Sequence, residues 1–222
     1  MLGAGWLLAK GVEVVSDDFC GVTWAVGNMG VKWQGTVGLG GGIALLADSR
    51  GGILELLSVA VMQPTNIFQG NFLTIDRADQ YRFYSRWSAE EAVAANKFVG
   101  LNVTVGGVTN LVGIQMDTLG AAPLDTDFCF VGAQAGAGTT VTTGLAYTTD
   151  MQIWEFVMSG TSITCLRNGT VVATLTTGQY PLAGARMQVV ANTVCLGASV
   201  NSQLHIDVIK VVESRYTGVG DV

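Results

Sequence analysis

The sequence predicts an all-β protein built as two packed antiparallel sheets. Three observations carry this. Short apolar runs alternate with Gly, Asn, Asp and Thr breaks along nearly all of the 222 residues, the pattern of strands and turns. Helical periodicity is almost absent. The length fits one large β domain, since sandwiches and barrels of this size commonly form a single unit.

In chain order, residues 1–15 are set apart as an N-terminal arm, and residues 16–222 form the sandwich domain. Strands are expected over residues 21–26, 31–37, 53–62, 80–87, 98–104, 111–116, 128–131, 152–158, 162–167, 170–176, 186–191 and 204–212. About twelve strands in one chain imply two sheets. The run Gly38-Leu39-Gly40-Gly41-Gly42-Ile43 approaches a dinucleotide-binding G-x-G-x-x-G, but its last position is Ile. No G-K-[ST] follows it or the glycine-rich stretch 132–138, and no βαβ pattern surrounds either. Both read as turns.

In 80–87, Tyr81, Phe83, Ser85 and Trp87 share one face, and Arg82, Tyr84 and Arg86 the other. That is an aromatic core face backed by a small basic strip, able to meet a partner's carboxylates. One short helix is expected near 88–96, where Ser88 caps the start and Glu91 reaches back to it. Asn168-Gly169 tolerates the positive φ of a type I′ turn, so 162–167 and 170–176 form a tight hairpin. Regular pairing then puts Leu166, Val171, Ala173 and Leu175 on one face. Ile163, Cys165 and Val172 fall on the other, with Arg167 at the tip. Neither face is cleanly polar, so both are expected to be covered.

Composition excludes several functions. Charged residues make up 13% and the net charge is −6, against a usual charged share of about 25%. Eleven basic residues, never adjacent, argue against nucleic acid. A charge-poor surface tends to associate with a partner. No signal peptide is expected, because the start lacks a basic region and its apolar stretch at Trp6-Leu7-Leu8 is short. The uncharged run 128–149 is Gly- and Thr-rich, so no membrane span is expected. Cys20, Cys129, Cys165 and Cys195 lie too far apart for C-x-x-C zinc spacing and read as buried thiols.

No catalytic constellation stands out. His205 is the only histidine, which rules out a histidine-rich metal site, and no G-x-S-x-G elbow is present. His205 alternates with Leu204 and Ile206, so it points outward or into a satisfied pocket. The carboxylate pairs Asp17/Asp18, Asp76/Asp79, Glu90/Glu91 and Asp125/Asp127 lack the strand-borne E-x-D-x-x-E spacing of a glycosidase cleft. No cofactor or metal is expected.

Three passages resemble a concanavalin A-like (laminin-G-like) jelly roll. They are Gly51-Gly52-Ile53-Leu54-Glu55-Leu56; Tyr81-Arg82-Phe83 through Phe98-Val99-Gly100-Leu101; and Trp154-Glu155-Phe156 with Cys165 through Ala173. The pattern is similar to domains of tailed-phage structural proteins. The resemblance implies a non-enzymatic virion protein, most of all a capsid decoration (cement) protein, made in the host cytoplasm. Its partners would be a major capsid or tail protein and further copies of itself, a trimer foremost, with the arm reaching a neighbour. Candidate interface residues are Arg82, Tyr84, Arg86 and Arg167. The alternative is a carbohydrate-binding adhesin or tail and fibre component, with Trp24, Trp33 or Trp154 as the sugar platform. A polysaccharide hydrolase using Asp125 and Asp127 ranks third.

Overall fold

The computed structural model describes residues 11–17, 33–46, 52–69, 73–74, 80–90, 94–105, 108–118, 126–159, 161–176, 178–179, 181, 186–197 and 201–214. Sixteen strands run through them: β1 (Gly11–Asp17), β2 (Trp33–Thr36), β3 (Gly42–Leu46), β4 (Ile53–Ser58), β5 (Thr65–Gln69), β6 (Leu73–Thr74), β7 (Gln80–Ala89) and β8 (Ala95–Val105). They continue with β9 (Val108–Asp117), β10 (Asp127–Gln134), β11 (Ala137–Ala146), β12 (Gln152–Ser159), β13 (Ser162–Arg167), β14 (Thr170–Thr176), β15 (Arg186–Cys195) and β16 (Ser202–Ser214).

They form two antiparallel sheets. The first runs β14-β13-β12-β7-β16-β4-β3, with β1 also paired to β16. The second runs β11-β10-β9-β8-β15-β5-β2, with β6 also paired to β15. The architecture is the two-sheet sandwich that the alternation predicts, arranged as the concanavalin A-like jelly roll that the resemblance implies. Strands close in sequence often lie in different sheets, which is how the chain wraps both layers.

The inner faces meet in one aromatic core. The rings of Phe83 and Phe156 stack at 4.4 Å with 4° between planes. Trp87 and Trp154 stack at 6.3 Å, and Phe128 meets both edge-on. These offset and edge-to-face arrangements suit the ring quadrupoles. One end of the interior is polar instead, with Ser58, Thr65, Ser88, Lys97, Thr193 and Ser202 all buried. There the sheets are tied together: the Cys195 backbone N–H donates to Ser58 Oγ at 3.0 Å, and the Thr193 and Ser202 hydroxyls bond at 2.6 Å.

Three expectations need correction. The helix near 88–96 is not formed. Ser88 and Ala89 end β7, paired with His205 and Leu204 of β16, and Ala95 already begins β8. Their backbone groups belong to ladders, and the Ser88 hydroxyl donates to Glu90 Oε1 instead of capping a helix. Residues 91–93 lie outside the described residues. The Asn168-Gly169 turn forms as expected, with φ of 49° and 81°. The hairpin faces differ, though, because a bulge shifts the register between Cys165 and Leu166. Cys165 then pairs with Ala173 instead of Val172, so Ile163, Cys165, Ala173 and Leu175 share the core face. Finally, the strand expected over 53–62 stops at Ser58, and β5 follows separately.

The Gly38–Gly41 run turns β2 into β3, closed by the Gly41 N–H on the Gly38 carbonyl at 2.9 Å. Gly132 to Gly138 forms the β10–β11 hairpin, turning at Ala135 and Gly136 with φ of 51° and 88°. The strand expected over 21–26 lies outside the described residues.

Candidate functional site

Each sheet offers one outer face. That of the first sheet carries the basic strip, and acidic neighbours neutralise it. Arg86 bonds Asp207 at 2.8 Å, and Arg82 stands 3.9 Å from Glu155. Between them, burial and then Glu155 push the Tyr84 phenol above its ordinary value. Such half-exposed pairs contribute little stability. His205 is held between Glu55 and Glu90, each 3.0 Å from one ring nitrogen. Arg167, at the hairpin tip, donates from Nε to Gln152 Oε1 at 2.7 Å. These groups satisfy one another.

Two of the three residues expected as a sugar platform do not form one. Trp33 and Trp154 are each 1% exposed and belong to the core, so neither shows a ring face to a ligand. Both alternate with outward residues, and the inward phase wins because the rings fill the space between sheets. Trp24 lies outside the described residues. Cys129, Cys165 and Cys195 are buried thiols, and burial pushes that of Cys165 far up. Among the described residues no group of three His, Cys, Asp or Glu could hold a metal ion.

The outer face of the second sheet is different. Strand register lines its outward residues into rows. One row crosses all seven strands as Gln34, Phe68, Val190, Gly100, Gly113, Val131 and Thr140. The next is Thr36, Asn66, Asn192, Phe98, Gln115, Cys129 and Thr142. Gln188 pairs with Asn102 beyond the first row, and Asn96 pairs with Asp117 beyond the second.

The centre of this face is apolar and its surround is amide-rich. Phe98 packs with Cys129, Val131, Leu111 and Val190 and is only 7% exposed. Its ring lies across the paired glycines Gly100 and Gly113. A Cβ on Gly113 would stand 2.7 Å from two of its ring carbons, so the glycine is what lets the ring lie down. Around this patch stand Gln34, Asn66, Asn102, Gln115, Gln188 and Asn192. The side-chain oxygens of Asn102 and Asn192 are sheltered and lack a hydrogen-bond partner. A neutral amide both donates and accepts, as a sugar hydroxyl does. Apolar carbon flanked by amides therefore complements a carbohydrate ring.

Two carboxylates border the patch. Asn96 donates to Asp117 Oδ2 at 2.8 Å, and Thr142 donates to Asp127 Oδ2 at 3.1 Å. The β9–β10 ladder ends at the Gln115–Cys129 pair, and beyond it the Asp117 N–H donates to the Tyr147 hydroxyl at 3.1 Å. Sequence reasoning ended the strand at Met116 and so missed Asp117, although one more step of alternation reaches it. Asp125, the partner expected for Asp127, lies outside the described residues.

No protein-family model and no curated protein matches the sequence. Solved structures do match in fold. One is a pseudo beta-1,3-glucanase and immunostimulatory antigen of Mycobacterium tuberculosis, with a TM-score of 0.69, 12% identity, and 91% of this chain and 99% of that one covered. Another is the beta-glucanase of Bacillus licheniformis, with a TM-score of 0.63, 14% identity and coverages of 91% and 98%. A third is a carbohydrate esterase of a Shiga toxin-encoding bacteriophage, with a TM-score of 0.56, 15% identity and coverages of 92% and 100%. At these identities the likeness shows the fold alone. It nonetheless overturns the expectation of a non-enzymatic capsid decoration protein. That expectation rested on resemblance, and the structures that share this fold are mostly glycoside hydrolases.

Proposed function

We propose that this chain acts on polysaccharide, seating a glycan on the outer face of the second sheet. The observation that carries this is the Phe98 patch ringed by Asn66, Asn102, Asn192, Gln115 and Gln188. The glucanase-like fold supports it. Partly buried Leu111 and Val190, beside Phe98, would meet the C–H face of a sugar ring, and the amides its hydroxyls. Most amide partners sit on strands held by two neighbours, which keeps the arrangement stiff. The test is affinity electrophoresis through gels cast with soluble neutral polysaccharides. The protein should be retarded, and Gln115→Ala and Asn66→Ala should each weaken binding about tenfold, one hydrogen bond's worth. Unretarded migration through a broad polysaccharide panel would sink the reading.

The two bordering carboxylates, Asp117 and Asp127, favour a second reading, hydrolysis at that same site. Glycoside hydrolysis uses a pair of carboxyl groups flanking the scissile bond. One of Asp117 and Asp127 would protonate the leaving oxygen while the other attacks the anomeric carbon. Release of reducing ends should then fall at least about a thousandfold in Asp117→Asn and in Asp127→Asn, as for loss of a catalytic group. Hydrolysis at the parental rate in either variant discards the pair.

A further inference from the structure

We propose that β11 is a self-pairing edge, through which two copies of this chain join their second sheets about a two-fold axis at Val141. The second sheet ends on β11, whose far side has no strand partner among the described residues. Proteins commonly blunt such edges with charge, proline or shortness. The edges at β2 and β3 are short, at 4 and 5 residues. The β11 edge runs 10 residues, Ala137–Ala146, with neither charge nor proline.

Its sequence names the occupant. Gly138-Thr139-Thr140-Val141-Thr142-Thr143-Gly144 reads the same in both directions. Antiparallel pairing of two such strands about Val141 therefore sets the central residues against their own type. Thr140 faces Thr142 of the second copy and Val141 faces Val141, while Thr143 and Gly144, with φ of 67° at Gly144, lie where the strand bulges and leave the regular ladder. Threonines paired across strands can hydrogen-bond. An isologous contact must be self-complementary, and this strand is so about Val141. The chain carries a net charge of −6, so contact between copies at a charged surface would be opposed, whereas here no charge meets another. The other long edge, β14, also lacks charge, but Thr-Val-Val-Ala-Thr-Leu-Thr does not match its own reverse.

The side chains suit the arrangement. Thr140 and Thr142 are exposed on the outer face, while Val141 is half-buried and packs against the core. The register with β10 jumps between Thr142 and Leu145. The ladder across the two-fold is thus regular over Thr140, Val141 and Thr142 and loosens outward. Pairing would bring two outer faces edge to edge. If each face seats a glycan, a consequence that rests on the reading above, one long polymer could engage both and gain avidity. The pairing itself does not depend on that reading.

Sedimentation of the whole chain across about a hundredfold range of concentration tests it, because self-association follows mass action. The mass should climb from 23.2 kDa towards twice that. Gly138→Lys with Thr140→Lys crowds positive charge about the axis on exposed positions. That variant should stay at 23.2 kDa with an unchanged melting temperature. The matching Glu variant should also stay monomeric, and an equimolar mixture of the two should dimerise. The proposal is overturned if the parent stays at 23.2 kDa throughout, if the Lys variant associates as the parent does, or if the mixture remains monomeric. Failure to bind polysaccharide would leave these masses unchanged, so the two ideas fail separately.

Discussion

His205 shows how a residue's role depends on partners far along the chain. Alternation with Leu204 and Ile206 was enough to turn it outward. What meets it there was not readable locally, because Glu55 lies 150 residues away and Glu90 follows a different strand. Each carboxylate stands 3.0 Å from one ring nitrogen, with the histidine side chain 16% exposed. A ring protonated at both nitrogens donates to both carboxylates, whereas a neutral ring donates to one. Replacing His205 with Ala leaves two acids facing each other in partial burial. Urea denaturation should show a loss of about 1.5–3 kcal/mol, the range for hydrogen bonds to charged groups. Adding Glu55→Gln should recover part of it, since the repulsion goes with the charge. Trp33 and Trp154 teach the reverse lesson. Their identity marked them for a sugar, but alternation alone could not say which phase faced the opposing sheet.

Among the elements, the β13–β14 hairpin was the most legible and still hid its bulge. Asn168 and Gly169 adopt φ of 49° and 81°, as a two-residue turn demands. A turn sets the first pairs of a ladder, and packing sets the rest. Here the fit of Ile163 and Leu175 into the core shifts the register by one residue at Cys165. Gly169→Ala places a side chain in the left-handed region and should cost about 1–2 kcal/mol, read as a lower melting temperature. Asn168→Gly should change it far less. Two of the strands missed from sequence have small or interrupted residues. In β11, Thr and Gly stand where β-branched apolar residues would announce a strand. In β3, a glycine run conceals the start.

For the molecule as a whole, alternation and scarce charge were sufficient to predict a two-sheet sandwich. The candidate site was not predictable in this way. Gln34, Asn66, Asn192 and Gln115 come from four strands, and only the order β9-β8-β15-β5-β2 brings them together. The ties between the sheets were hidden for the same reason. Ser58 belongs to β4 of the first sheet, yet its hydroxyl accepts from the Cys195 N–H of the second and donates to the Gln63 carbonyl at 2.7 Å. Ser58→Ala would leave the buried Cys195 N–H without that partner, at about 1–3 kcal/mol. Thermal unfolding should show a fall of that order, and hydrogen exchange should show the Cys195 amide losing protection. An amide that stays protected would place the tie elsewhere.

The glycine pair beneath Phe98 limits how this face could be rebuilt. A Cβ on Gly113 would stand 2.6 Å from the Val99 carbonyl, and one on Gly100 would stand 2.3 Å from that of Val112. Shrinking Phe98 would clear the ring but leave both backbone obstacles in place. A designer wishing to add an acid between Leu111 and Gln115 would have to part β8 from β9 first. Random drift meets the same barrier, so positions 100 and 113 should stay glycine whatever stands at position 98.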